Sequence, residues 1–182
     1  MQERKFKNPA VWSRIEGMFE KEKNYAYIDG ANLNNAMRDL GWKLDYRRFR
    51  VWLQEKYSVR RAYLFIGLIP KYNRLYTYLQ EAGFTLIFKE VIYDGKGSPK
   101  GNCDADLVLQ VVKDTYEHNF TKTLLVSSDG DYSSLVSFLI EKDALLGILS
   151  PSNEKRCSVL LKRTGAKIFY INDKKNVLRS RK

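Results

Sequence analysis

The chain has 182 residues, 44% of them hydrophobic and 13% aromatic, so it is long enough for one domain with a sizeable core and too apolar to be disordered throughout. Its net charge of +11 is typical of a protein that binds a polyanion such as nucleic acid, or of a solvated basic surface. A single histidine and two isolated cysteines exclude a Cys/His zinc site. No apolar run reaches the ~20 residues that cross a bilayer, so we expect a cytoplasmic protein with no membrane partner.

The predicted elements alternate between strand and helix for most of the chain. Residues 1–23 have apolar positions at helical spacing and predict an N-terminal helical extension. The alternation over 24–171 predicts an α/β domain with a mainly parallel sheet covered on both faces, and 172–182 predict a basic C-terminal tail. The predicted strands are YAYI, VRRAYLFI, FTLIFKEVIY, TLLVS, ALLGIL and KIFYI, and the predicted helices cover 31–40, 45–57, 70–82, 104–118, 131–141 and 154–163.

Two sets of residues are interpreted as structural. In the helix predicted over 70–82, the i, i+3, i+4, i+7 spacing predicts a core stripe rather than a surface on which bases stack. His118 ends the helix predicted over 104–118, away from the strand ends, so we assign it no catalytic role. The core stripe consists of Tyr72, Leu75, Tyr76 and Leu79.

Carboxylates occur at three junctions between strands and helices. Asp29 ends the first strand in DGAN, Asp129 and Asp131 follow the fourth strand in SSDGD, and Asp104 begins a helix after KGNC. In a parallel sheet of this type, the functional crevice lies beyond the carboxyl ends of the strands, where the strand order reverses. If the first and fourth strands are neighbours, the four carboxylates converge there.

Helical phase separates Asp104 from Asp106. In a helix over 104–116, Asp104 shares a face with Leu107 and Val111, whereas Asp106 points about 200° away. Because the apolar face packs on the sheet, we predict that Asp104 lies at the buried edge and that Asp106 faces water.

Four carboxylates in one crevice must either protonate or bind a cation. Oxygen ligands without His or Cys favour Mg²⁺ or Mn²⁺, and such a site can hydrolyse a phosphodiester without a histidine. The alternative is that Asp-Gly-Asp is an ordinary turn and helix cap, as it often is when it occurs alone. The sequence has neither GxxxxGK[ST] nor GxGxxG at the relevant turns, which disfavours a Walker nucleotide site and a dinucleotide site.

Three segments together resemble the NYN domain of the PIN-like (FLAP/PIN nuclease-like) superfamily, in particular its small bacterial single-domain proteins. The segments are YAYIDGANL, KGNCDADLVLQ and LLVSSDGDYSSLV, and the resemblance extends from about Tyr25 to about Ile171. It implies a PIN-like Rossmannoid three-layer α/β/α sandwich and a metal-dependent ribonuclease. The aspartates that match the family's catalytic and Mg²⁺ or Mn²⁺ ligands are Asp29, Asp104, Asp129 and Asp131.

The resemblance also bears on residues beside these aspartates. Asn32 matches an asparagine that steadies the first aspartate, and Ser127 matches a small hydroxyl residue before the third. Ser128 stands where glycine is usual and Cys103 where an apolar β-branched residue is usual, which affects local loop geometry but none of the carboxylates.

The topology predicts further contacts with RNA. Lys100 lies in the loop that enters the Asp104 helix, and Asn153 and Ser158 lie in the turn after the fifth strand. With Asn32 and Ser127 they form the predicted substrate-binding set. A noncatalytic RNA-binding or adaptor module with a structural metal site is the alternative function, and dimerisation among PIN-like relatives leaves a homodimer open.

Overall fold

The fold is built on a parallel sheet of six strands, which confirms the predicted α/β class. The structure, a computed structural model, describes residues 23–90, 92–93, 99–100 and 103–180. The strands are β1 (Asn24–Asp29), β2 (Val59–Leu68), β3 (Thr85–Glu90), β4 (Ile92–Tyr93), β5 (Pro99–Lys100), β6 (Thr123–Val126), β7 (Leu145–Ser150) and β8 (Ile168–Tyr170). The main sheet has the order β3-β2-β1-β6-β7-β8, and β4 and β5 form a separate antiparallel pair.

Helices cover both faces of the main sheet. They are α1 (Gly30–Leu40), α2 (Tyr46–Tyr57), α3 (Asn73–Glu81), α4 (Asp104–Tyr116), α5 (Ser133–Glu141), α6 (Val159–Arg163) and α7 (Lys175–Leu178). Short 3₁₀ turns at Pro70–Tyr72, Gly130–Tyr132 and Ile171–Lys174 precede α3, α5 and α7. One hydrophobic core includes residues of α1, α2, α3 and α7, and the other includes residues of α4, α5 and α6.

Alternation along β1 explains how one central strand serves both cores. Ala26 and Ile28 belong to the core on the α1 side, whereas Tyr25 and Tyr27 belong to the core on the α4 side. Successive side chains of a strand point to opposite faces, so a strand buried on both sides has apolar or aromatic residues at every position.

The strand order reverses beside β1, which lies between β2 and β6. Ile28 pairs with Leu64 on one side and with Val126 on the other. The prediction that the first and fourth predicted strands are neighbours is therefore confirmed. Their carboxyl ends lie at the same edge of the sheet, where Asp29 ends β1 and Asp129 lies three residues after the end of β6.

Several observed strands and helices begin or end at residues other than those predicted. The third strand ends at Glu90 instead of Tyr93, and the helix predicted over 154–163 begins only at Val159. The predicted basic tail folds back on the domain, because Leu178 is buried and its carbonyl accepts a hydrogen bond from the Asp45 N–H at 2.9 Å.

The N-terminal helix predicted over 1–23 lies outside the described residues, apart from Lys23. Across the described ranges, no helix is both long and apolar enough to span a membrane.

Candidate active site

Asp29 ends β1 and caps the helix that follows. Its side chain is buried, with 8% of the residue exposed, and Oδ1 accepts a hydrogen bond from the Asn32 N–H at 2.9 Å. Gly30 allows α1 to begin at once, since a Cβ there would overlap Ile66 Cγ2 and lie 2.6 Å from the Phe65 carbonyl oxygen. The close approach of α1 to β2 thus places the carboxylate at the edge of the sheet.

Asp129 follows β6 and caps the 3₁₀ turn that comes next. Its N–H donates to Ser127 Oγ at 3.1 Å, and its Oδ1 accepts from the Asp131 N–H at 3.1 Å, which starts the 3₁₀ turn. Within the Asp-Gly-Asp motif, Asp129 is therefore the residue that caps the turn. Asp131 is exposed on the turn and does not line the cleft described below.

Asp104 begins α4 and is linked to Asp29 through a tyrosine. The buried Tyr132 hydroxyl donates to Asp104 Oδ1 at 2.5 Å and lies 3.4 Å from Asp29 Oδ2. Burial, together with the charges of both carboxylates, raises the pKa of Tyr132, so the hydroxyl stays protonated and able to donate. Sequence reasoning missed Tyr132, although its position directly after Asp-Gly-Asp was the available signal.

Three of the four predicted carboxylates line one cleft of about 220 Å³ at the carboxyl ends of β1 and β2. Burial raises the pKa of Asp29, and the charges of Asp104 and Asp129 raise it further. None of the described residues that line the cleft is basic. The lining consists of Asp29, Ala31, Asn32, Asn35, Phe65, Ile66, Gly67, Cys103, Asp104 and Asp129.

The donor chemistry of this cleft fits a hard divalent cation. Asp29, Asp104 and Asp129 supply carboxylate oxygens, which Mg²⁺ and Mn²⁺ prefer. Among the described side chains, however, no three Asp, Glu, His or Cys residues stand close enough to hold an ion as a ready cluster. Ligation by all three aspartates therefore requires side-chain rotation or bridging water.

Asn32 ties the first helix to β6. Its backbone N–H bonds to Asp29, while its side-chain Oδ1 accepts from Ser128 N–H at 3.0 Å and from Ser128 Oγ at 2.9 Å. Ser128 Oγ also lies 3.0 Å from Ser152 Oγ in the turn after β7. The Ser128 hydroxyl, at a position where the family usually has glycine, thus connects α1, the turn after β6 and the turn after β7.

Ser127 connects two of the aspartates. Its Oγ accepts from the Asp129 N–H and lies 3.5 Å from Asp29 Oδ2, where it can donate. In this structure its hydroxyl contacts Asp29 and Asp129, and its predicted contact with substrate stays a prediction.

Two other residues predicted to contact substrate, Asn153 and Ser158, are not among the described residues that line the cleft. Asn153 Oδ1 accepts from the Arg156 N–H at 3.1 Å and closes a turn, and Ser158 caps α6 through the Leu160 N–H at 3.2 Å. Lys100 belongs to β5, which pairs with β4, and its predicted contact with substrate stays a prediction. His118 follows α4 with a φ of 54° and is not among the described residues that line the cleft.

Asp106 differs from its prediction. It is partly buried and forms an ion pair with Lys89 of β3 at 3.0 Å, instead of facing water alone. Helical phase correctly separates it from Asp104, but it could not reveal a partner that comes from another strand.

Cys103 offers a probe of the charge in the cleft. Burial, with the charges of Asp29, Asp106 and Asp104, raises the pKa of its thiol to about 11. Because the thiolate is the nucleophile, we expect iodoacetamide to label Cys103 at about pH 8 roughly a hundredfold more slowly than a free cysteine, and faster as the pH rises towards 11. Mass spectrometry measures the rate, Cys103→Ser identifies the site, and rapid labelling at about pH 8 would contradict the assigned environment.

Comparison with known proteins agrees with this geometry. The model of the NYN domain family matches residues 25–169. The chain belongs to the NYN domain family. This is a PIN-like nuclease family, so the resemblance of the three motifs is confirmed over nearly the range expected.

A solved structure supports the fold. The chain resembles a protein of unknown function, VPA0982, from Vibrio parahaemolyticus, with a TM-score of 0.71 and 23% sequence identity. The match covers 88% of this chain and 98% of that chain. A search of the curated proteins finds no match.

Proposed function

We propose that this NYN protein is a metal-dependent ribonuclease that hydrolyses RNA phosphodiester bonds. The observation that carries the proposal is the cleft at the switch point, where Asp29, Asp104 and Asp129 meet and no described lining residue is basic. Membership of a PIN-like nuclease family supports nuclease activity, and the net charge of +11 supports a polyanionic substrate.

In this proposal, Asp29, Asp104 and Asp129 would hold the cation, and Asp131, whose N–H donates to Asp129, would hold a second cation or a water. A bound hard divalent cation supplies charge neutralisation and Lewis-acid activation of a phosphodiester. Tyr132 orients Asp104 through the hydrogen bond that it donates. The Ser127 hydroxyl contacts both the Asp29 carboxylate and the Asp129 N–H, and so holds these two residues near each other. Asn32 and Ser128 fix the distance between α1 and β6, so the carboxylates are held by a rigid frame.

The test is a cleavage assay on labelled single-stranded RNA, double-stranded RNA and single-stranded DNA with Mn²⁺, Mg²⁺ or EDTA. We expect RNA cleavage that depends on the cation and disappears with Asp129→Asn purified in parallel. RNA binding without cleavage under every cation would overturn the nuclease proposal and favour the noncatalytic adaptor function.

A further inference from the structure

Exposed apolar side chains occur at the end of β2, in the 3₁₀ turn before α3, in the first turn of α3 and in β3. We call this group the Tyr72 surface. The sequence predicts Tyr72 and Leu75 in a core stripe with Tyr76 and Leu79, but the structure buries only the latter two. The Tyr72 surface consists of Leu68, Tyr72, Leu75 and Phe88, which are 40–44% exposed.

A change of helical phase explains the exposure of Tyr72. Pro70–Tyr72 form a 3₁₀ turn, and the α-helix begins only at Asn73. Residues of a 3₁₀ turn advance by about 120° each instead of 100°, so a stripe extrapolated from α-helical spacing fails at this end. The ring of Tyr72 is left on the surface, at the point where the chain leaves the sheet.

The Tyr72 surface is continuous with the wall of the cleft. Ile66 and Gly67 line the cleft, and Ile66 pairs in register with Phe88 of the neighbouring parallel strand. The buried Tyr76 ring packs edge-on against Phe88, with 4.9 Å between the ring centroids. These contacts join the exposed rings to the carboxylate site through regular structure.

The hydroxyl of Tyr76 also fixes the loop between β2 and α3. It donates to the Gly67 carbonyl at 3.0 Å and accepts from the Ile69 N–H at 2.8 Å. The chain therefore runs from the cleft wall to Tyr72 over a short, hydrogen-bonded path. Four residues separate Gly67, which lines the cleft, from Tyr72.

The charges around the exposed rings suit a phosphate backbone. Lys71 Nζ lies 5.1 Å from the centroid of the Tyr72 ring, and Arg74 is exposed on the first turn of α3. Glu90 lies at the outer edge, where it pairs in register with Leu68, and Lys89 is engaged by Asp106. Exposed rings flanked by cations are the arrangement with which proteins bind single-stranded nucleic acid.

We propose that the Tyr72 surface is a stacking site for unpaired bases of an RNA strand whose backbone enters the carboxylate cleft. Tyr72 stacks on one base, Phe88 and Leu75 extend the apolar contact, and Lys71 and Arg74 contact phosphates. The inference rests on the proposed nuclease function, from which it takes RNA as the ligand. The inference adds that the RNA must be unpaired where it crosses the Tyr72 surface, since a base in a duplex has no free face for Tyr72.

The test measures binding in EDTA, where cleavage cannot interfere. A short single-stranded RNA carrying a fluorescent adenine analogue is titrated with wild type, Tyr72→Ala, Tyr72→Phe and Tyr116→Ala. Tyr116 is the matched control, because it is an exposed tyrosine at the opposite end of α4 from Asp104. We expect Tyr72→Ala to weaken binding about 5-fold to 100-fold and to abolish stacking-induced quenching, while Tyr72→Phe and Tyr116→Ala bind as wild type does.

The outcomes separate this inference from the nuclease proposal. If RNA is not cleaved with any cation but binding depends on Tyr72, the stacking site stands and the nuclease proposal fails. If RNA is cleaved but Tyr72→Ala binds as Tyr116→Ala does, the stacking site is overturned and the nuclease stands. Equal affinity for a duplex of the same sequence, or no binding by wild type, also overturns it.

A protein partner at the Tyr72 surface is tested in parallel by light scattering after gel filtration. A change in molecular mass with Tyr72→Ala, without a change in RNA affinity, would assign the surface to a second copy of the chain and overturn the stacking site. Circular dichroism of each variant confirms that the exposed substitutions leave the fold intact.

Discussion

Replacing Asp29 with asparagine is expected to reduce RNA cleavage by about a thousandfold or more and, in EDTA, to raise the free energy of unfolding. Burial raises the pKa of Asp29, so the ionised carboxylate is less favourable in the folded protein than in the unfolded chain. Asparagine removes this charge, and its Oδ1 can still accept from the Asn32 N–H. We expect a gain on the order of 1 kcal/mol near neutral pH.

The sign of this effect fixes its pH dependence. Because the folded pKa of Asp29 is raised, its contribution to stability is fully present below the unfolded pKa of about 3.9 and is lost as the pH rises through the folded value. Urea unfolding of wild type and Asp29→Asn across this range should therefore diverge as the pH rises. The control is Asp39→Asn, since Asp39 is an exposed carboxylate paired with Arg156. Lower stability of Asp29→Asn in EDTA near neutral pH would contradict the assignment.

Replacing Gly30 with alanine is expected to lower the free energy of unfolding by on the order of 3 kcal/mol. The new Cβ would overlap Ile66 Cγ2 and approach the Phe65 carbonyl oxygen to 2.6 Å, and a backbone atom of a central strand cannot rotate away. Helix α1 would have to move off β2, and Asp29 and Asn32 would move with it. Urea or thermal unfolding measures the loss.

Gly130→Ala is the matched comparison for this substitution. Its Cβ would meet Ser158 Oγ and the Leu160 side chain, which can adjust by rotation, so a smaller loss is expected. If Gly30→Ala were no less stable than Gly130→Ala, the close packing of α1 on β2 would not be what positions Asp29.

The parts of the site that sequence reasoning placed correctly depend on regular geometry. The first and fourth predicted strands were expected side by side, and Ile28 indeed pairs with Val126. Parallel strands expose their carboxyl ends at one edge, so Asp29 and Asp129 could be placed together from strand order alone. The α-helical phase of α4 likewise places Asp104 on the side that faces the sheet and lines the cleft.

The parts that sequence reasoning misplaced depend on short irregular turns and on contacts between distant segments. The 3₁₀ turn at Gly130–Tyr132 leaves Asp131 exposed and brings the Tyr132 hydroxyl to Asp104. The turn at Pro70–Tyr72 turns Tyr72 outward in the same way. Neither 3₁₀ segment has a periodic signal longer than three residues, so the sequence pattern could not reveal the change of phase.

The most direct test of the central claim compares two neighbouring aspartates on α4. Cleavage of a labelled RNA is measured for wild type, Asp104→Asn and Asp106→Asn at the same cation concentration. Both substitutions remove one charge from the first turn of the helix, but only Asp104 lines the cleft, whereas Asp106 is paired with Lys89. We expect Asp104→Asn to lose about a thousandfold in rate and Asp106→Asn to stay within a few fold of wild type. Full activity of Asp104→Asn, or an equal loss in both variants, would contradict an active site built on Asp29, Asp104 and Asp129.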